Sequence, residues 1–83
     1  MLQLEIFTPK RAVLQVSCDR VQLPGVQGKM TVLPGHSTLL AQLGAGIICV
    51  HGKRQNPNIS IAAGFAWVQG NCVRVLCDEP SPS

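Results

Sequence analysis

The chain has 83 residues, 46% of them apolar and only 13% charged, and its seven Lys and Arg against four Asp and Glu give a net charge of +3. That length allows one domain with one modest core, because so short a chain buries only about 60–65% of its unfolded surface. So few charges imply that a partner covers part of the surface, while the scattered cations and only three aromatic residues (Phe7, Phe65 and Trp67) argue against a nucleic-acid stripe.

In chain order, strand signals dominate. Leu2, Leu4 and Ile6 alternate with Gln3 and Glu5, the pattern of a half-buried strand, and Pro9-Lys10-Arg11 breaks it. Leu14, Val16 and Cys18 alternate with Gln15, Ser17 and Asp19, after which the apolar parity switches to Val21 and Leu23. A slip of one residue would turn side chains to the wrong face, so a bulge or bend is expected near Asp19-Arg20. Pro24-Gly25 and Gln27-Gly28 punctuate the next segment, Met30 to Leu33 reads as a short strand, and Pro34-Gly35 ends it. Residues 38–43 form another strand, closed by Gly44-Ala45-Gly46.

Ile47 to Val50 is a continuous apolar run of strand length, expected to be covered on both faces. Residues 53–58 are polar and loop-like. Ile59, Ile61, Ala63, Phe65 and Trp67 recur at period two, with a bulge expected at Gly64. Gln69-Gly70-Asn71 suits a tight primed hairpin turn, Val73 and Val75 carry the return strand, and residues 79–83 are a Pro/Ser tail after a domain spanning 1–78. Eight or more short strands with no sustained helical period predict an all-β sandwich or small barrel. No apolar run reaches the roughly 20 residues needed to span a bilayer as a helix, and no secretory or transit segment is visible, so membrane association would come through a protein partner.

Thr31 to Gly46 combines a Pro-Gly turn, His36, an apolar run and a Gly-Ala-Gly break, with no acid, base or nucleophile set around them. It describes a shaped surface rather than a reaction centre. Glu5, Asp19, Asp78 and Glu79 read as solvated acids, since a paired-carboxylate mechanism needs two acids held together in a cleft. His36 and Ser37 are neighbours and would point to opposite faces of a strand, and no nucleophile elbow is present, which speaks against a small hydrolase. Gly25, Gly28 and Gly35 fit neither a P-loop nor a dinucleotide fingerprint.

Cys18, Cys49, Cys72 and Cys77 read as small apolar residues in a reducing cytoplasm, ahead of two disulfides; a zinc site ranks last because the spacing matches no zinc pattern. His36 serves equally as a ligand of its own loop or as an interface contact. His51 reads as a histidine satisfied at a strand end. Trp67 is expected in the core, ahead of the alternative of an exposed anchor.

Leu23-Pro24-Gly25, Gly28, Val32-Leu33-Pro34-Gly35-His36, Leu39-Leu40, Leu43 and Gly46 together resemble the signature of the N-terminal domain of the epsilon subunit of F-type ATP synthases. Leu4-Glu5-Ile6, with Thr8-Pro9, resembles the family's first strand. Gly64-Phe65-Ala66, Val68, Asn71, Val73, Val75-Leu76 and Asp78 resemble its last hairpin. The resemblance implies a flattened two-sheet β-sandwich of about ten short strands. It also implies a non-catalytic rotor subunit, without a cofactor, peripheral on the cytoplasmic face of the bacterial inner membrane and reaching the membrane only through the c ring.

By position, Pro34, Gly35, His36, Ser37, Thr38 and Leu40 would face the gamma subunit, and Gln27, Gly28, Lys29 and Met30 would meet the polar loops of the c ring. A broad interface of about 1,200–2,000 Å² would spread the load. The chain departs from the family pattern in three places. Gln27 and Lys29 stand where the family usually has acids, which asks for a partner loop complementary to a cation or leaves a weaker contact. Thr31 stands in place of a glycine, a change that bears on the strand's backbone. The C-terminal helical hairpin does not follow Asp78, so neither its inhibition of hydrolysis nor nucleotide binding is expected, and the Pro-Ser ending favours a naturally short variant over a cut one. The alternative reading is a free-standing β-sandwich binding module of another cytoplasmic complex.

Overall fold

The structure is a computed structural model that describes residues 1–35, 37–52 and 56–79. Those residues form nine strands: β1 (Leu2–Phe7), β2 (Ala12–Cys18), β3 (Arg20–Gly25), β4 (Gly28–Val32), β5 (Leu39–Leu43), β6 (Gly46–His51), β7 (Asn58–Ile61), β8 (Ala63–Gln69) and β9 (Cys72–Asp78). They join in one hydrogen-bonded sheet of order β2-β1-β9-β8-β5-β3-β6-β7, with β4 paired on β3. Only β1 and β9 run parallel; every other pairing is antiparallel. The sheet curls so that inward side chains from all its strands meet, a half-barrel consistent with a flattened sandwich. Its extents are 37 × 28 × 20 Å, and the shortest suits two layers spaced about 10 Å apart.

The core holds Leu2, Leu4 and Ile6 from β1, Cys18, Val21 and Leu23 across the β2–β3 corner, and Val32, Leu43, Ile48 and Val50 from the middle strands. Ile61, Ala66, Val68, Val73, Val75 and Cys77 complete it. Every one of these is apolar, and no polar or charged residue is buried among the described residues. Burial of this apolar area is the main stabilising term, at roughly 25 cal/mol per Å².

The parity switch after Cys18 is absorbed as expected. Asp19 stands outside both strands, its N–H donates to the His51 carbonyl at 2.8 Å, and Cys18 and Val21 both remain inside. Thr31 sits in the regular β3–β4 ladder opposite Gln22, so the strand accepts it without distortion. At the β8–β9 turn Gly70 has φ +60° while Asn71 has negative φ, which is the type II′ form that matches strand twist.

Five strand readings need correction. β4 begins at Gly28 rather than Met30, and β3 runs through Pro24 to Gly25 before turning. β6 is buried on one face only: Ile47 is 53% exposed, because no second layer covers its outer side. The run of alternate apolar residues from Ile59 to Trp67 is two strands. Ala62 forms the corner, its N–H bonded to the Asp78 carbonyl at 2.8 Å, and beyond it the inward positions become Ala66 and Val68. Gly64 makes no bulge, for the β8–β9 register is unbroken from Ala63↔Asp78 to Gln69↔Cys72. It instead permits a close approach of strands: a Cβ there would lie 2.5 Å from the Leu76 carbonyl oxygen and 2.9 Å from Cys77 Cα.

Candidate functional site: two ends and an outer face

Strand direction assigns each connection to one of two ends. The β2–β3 corner, the β4–β5 turn and the β8–β9 turn share one end. The β1–β2 turn, the β3–β4 tip and the β5–β6 turn share the other. Pro34, Gly35, Ser37 and Thr38 therefore lie at the first end and Gln27, Gly28 and Lys29 at the second, while Leu40, farther along β5, lines a cleft with Lys29 and Met30. Five-residue β4 separates the two ends by about 16 Å.

At the first end, Pro34, Gly35, Ser37 and Thr38 are exposed, while His36 lies outside the described residues. Gly35 has φ +81°, a conformation that glycine accepts without strain. Its N–H donates to the side-chain carbonyl of Asn71 at 2.8 Å, which ties this turn to the β8–β9 hairpin. Leu40, two residues beyond Thr38, is 61% exposed, the most of any large apolar side chain described.

Register shows what Leu40 belongs to. Across the outer face it opposes Trp67, Trp67 opposes Arg74, and Arg74 opposes Glu5. In the next row Gln42, Phe65, Leu76 and Phe7 stand side by side. Cross-strand neighbours on one face have Cβ atoms about 4.5–5.5 Å apart, so these side chains touch or nearly touch. Phe65, Trp67 and Leu76 are 47%, 44% and 41% exposed. The expectation that Trp67 lies in the core is thus overturned: its parity places it outward in an apolar strip that begins at Leu40. Sequence reasoning missed Phe7, Phe65 and Leu76 as surface residues for the same reason, and the only pointer to them is that Ala66 and Val68 are apolar as well.

At the second end Gln27, Gly28 and Lys29 are exposed, whereas Met30 is half-buried and packs on the core. The tip is a two-residue loop between the paired Gly25 and Gly28, the latter at φ +131°. It is braced against the end of β5 by two bonds, Val26 N–H to the Gln42 carbonyl at 3.0 Å and Gly44 N–H to the Pro24 carbonyl at 2.8 Å.

The remaining polar groups are dispersed. Glu5 lies on the outer face and Asp19 at the opposite corner of the molecule. Among the described residues no three His, Cys, Asp or Glu side chains come within reach of one metal ion. The four thiols are free; Cys18 and Cys77 are buried, Cys49 is half-buried and Cys72 exposed. Burial first, and nearby carboxylates second, push the Cys18 and Cys77 thiols above their ordinary value. The His51 ring does not meet its expectation: Nε2 is buried and has no hydrogen-bond partner among the described residues.

Residues 1–82 match the family model for the ATP synthase, Delta/Epsilon chain, beta-sandwich domain. The ATP synthase epsilon chain of Moorella thermoacetica is 38% identical over 83 residues, covering 99% of this chain and 62% of that one. The epsilon chain of Solibacter usitatus is 40% identical over 77 residues, covering 93% and 58%. The chain thus spans less than two thirds of the length of the curated relatives it matches. A chain in the cryo-EM structure of Euglena gracilis mitochondrial ATP synthase, OSCP/F1/c-ring in rotational state 1, is similar with a TM-score of 0.88 at 26% identity, over 98% of this chain and 52% of that one. A chain in the Tetrahymena thermophila mitochondrial ATP synthase central stalk/c-ring structure has a TM-score of 0.80 at 13% identity, over 94% and 63%, a likeness of fold alone.

Proposed function

Because the chain belongs to the family of ATP synthase delta/epsilon-chain β-sandwich domains, we propose that it is a central-stalk rotor subunit of an F-type ATP synthase, bound to the gamma subunit by one surface and to the c ring by another. It has no active site of its own, couples ion movement to ATP synthesis or hydrolysis mechanically, and is peripheral to the membrane through the ring. On the bacterial inner membrane it would sit on the cytoplasmic face.

The observation that carries this reading is that one continuous sheet bears two chemically different exposed surfaces, a polar tip at one end and an apolar strip across its outer face. The strip from Leu40 through Trp67, Phe65 and Leu76 offers an apolar, aromatic surface of the kind that anchors protein partners. The Gln27–Lys29 tip offers a small, polar, braced projection. A sheet with its core packed to crystal-like density resists shear between them, so a displacement imposed at one is delivered at the other.

Co-expression of the tagged chain with the gamma subunit and the c subunit of the same organism tests this. The reading expects both to co-purify in stoichiometric amounts. Recovery of the folded chain with neither would end it.

A further inference from the structure

Among the described residues, Lys29 is the only charged side chain lining two shallow clefts beside the β3–β4 tip. One lies between the tip and β5, against Met30, Ala41 and Gln42; the other lies toward the β5–β6 turn, against Pro24, Ala45 and Ile47. Its cross-strand neighbour is Pro24, which offers no charge. Lys29 makes no ion pair among the described residues, where Glu79 is taken by Arg11 at 2.8 Å and Glu5 stands opposite Arg74 on the outer face. Asp19 is at the far end, and Asp78 lines neither cleft. The tip thus presents one ammonium group that has no ionic partner among the described residues. The two braces described above hold its backbone in place, and Val26 and Ile47, 55% and 53% exposed, flank it with apolar surface.

We infer that this tip receives a partner loop bearing a carboxylate, with Lys29 as its ion partner; this rests on the reading above, in which the partner is the polar loop of the c ring. A carboxylate brought against Lys29 makes a charge-assisted hydrogen bond. Val26 and Ile47 exclude water from the pair and so strengthen it relative to an open surface pair. A partner loop carrying Lys or Arg at that point meets like charge and is rejected. The tip therefore selects its ring by the sign of one charge.

The test uses the whole chain and the detergent-solubilised c ring of the same organism, treated with a water-soluble carbodiimide. This reagent activates a carboxylate, which then forms an amide with a lysine amine in contact with it. The expected result is a Lys29–carboxylate crosslink to the ring subunit, mapped by mass spectrometry. Lys29→Arg should keep the affinity and lose the crosslink. Lys29→Glu should weaken ring binding about tenfold at low salt, with the difference shrinking as salt is raised, while melting temperature and gamma binding stay at the wild-type value.

Ring binding that persists with no crosslink at Lys29 and no loss in Lys29→Glu would overturn the inference and leave the rotor reading standing. A folded chain that binds gamma but not the ring would overturn both. Should the Glu variant fail to fold, Lys29→Gln takes its place, since removing the charge alone must still weaken binding at low salt.

Discussion

The side-chain carbonyl of Asn71 accepts a hydrogen bond from the Gly35 N–H at 2.8 Å, joining two turns that lie 36 residues apart in sequence. The Pro34-Gly35 turn follows only Leu33 beyond β4 and has no strand partner of its own, so this bond helps fix where its exposed surface points. Asn71→Ala removes the acceptor. It should cost about 0.5–1.5 kcal/mol in denaturant unfolding and weaken gamma binding more than it lowers stability. Asn71→Asp keeps an acceptor and should retain both. Equal behaviour of the two variants in the gamma assay would show that the bond does not shape the docking surface.

Trp67 is the chain's only tryptophan, so its emission reports one site. At 44% exposure it should emit at the long wavelength of a hydrated indole, be quenched readily by acrylamide, and shift to shorter wavelength when gamma is added. Trp67→Ala should lower stability by no more than about 1 kcal/mol, yet weaken gamma binding by at least tenfold, as a central aromatic anchor does. Leu4→Ala, by contrast, empties a fully buried position and should cost about 2–5 kcal/mol.

Much of the fold is legible in the sequence because the buried face is so uniformly apolar. The alternation of Leu2, Leu4 and Ile6 marks β1, and the parity switch between Cys18 and Val21 marks the corner at Asp19. The outer face of β8 was not legible for a physical reason. Ala62 turns the chain after Ile61, and beyond it Phe65 and Trp67 occupy the parity that would continue the buried series of Ile59 and Ile61. Hydrophobic alternation finds a strand's core face only when the other face is polar. Here both faces are apolar, and the outward one is the candidate docking surface. The turn at Pro34-Gly35 was visible from its residue types, whereas its tie to Asn71 depends on a contact no local pattern encodes.

Gly64 should prove the least replaceable glycine within a strand. Its missing Cβ lets β9 approach, with backbone atoms of Leu76 and Cys77 at 2.5 and 2.9 Å from where that carbon would be. Backbone cannot rotate away as a flexible side chain can, so Gly64→Ala should destabilise by about 1–3 kcal/mol, read by urea midpoint. A midpoint within error of wild type would show that β8 and β9 separate freely.

The buried thiols give a pH signature. Cys18 and Cys77 are raised above 9.0 in the folded chain, chiefly by burial. The unfolded chain therefore loses these protons first as pH rises. Their contribution to stability is complete below pH 9.0 and declines as pH passes through the folded values. A Cys18→Ala/Cys77→Ala double variant should lose stability less steeply above pH 9.0 than wild type. At neutral pH, iodoacetamide should modify exposed Cys72 well before Cys18 and Cys77, which should react only on unfolding. Modification of all four at one rate would contradict their placement.

The most direct measurement compares two variants in two binding assays. Affinities of wild type, Trp67→Ala and Lys29→Glu are determined separately for the purified gamma subunit and for the purified c ring. If the chain is a plate held by two separate surfaces, Trp67→Ala loses gamma and keeps the ring, while Lys29→Glu loses the ring and keeps gamma. Both substitutions weakening the same partner, or neither partner binding the folded wild type, would contradict it.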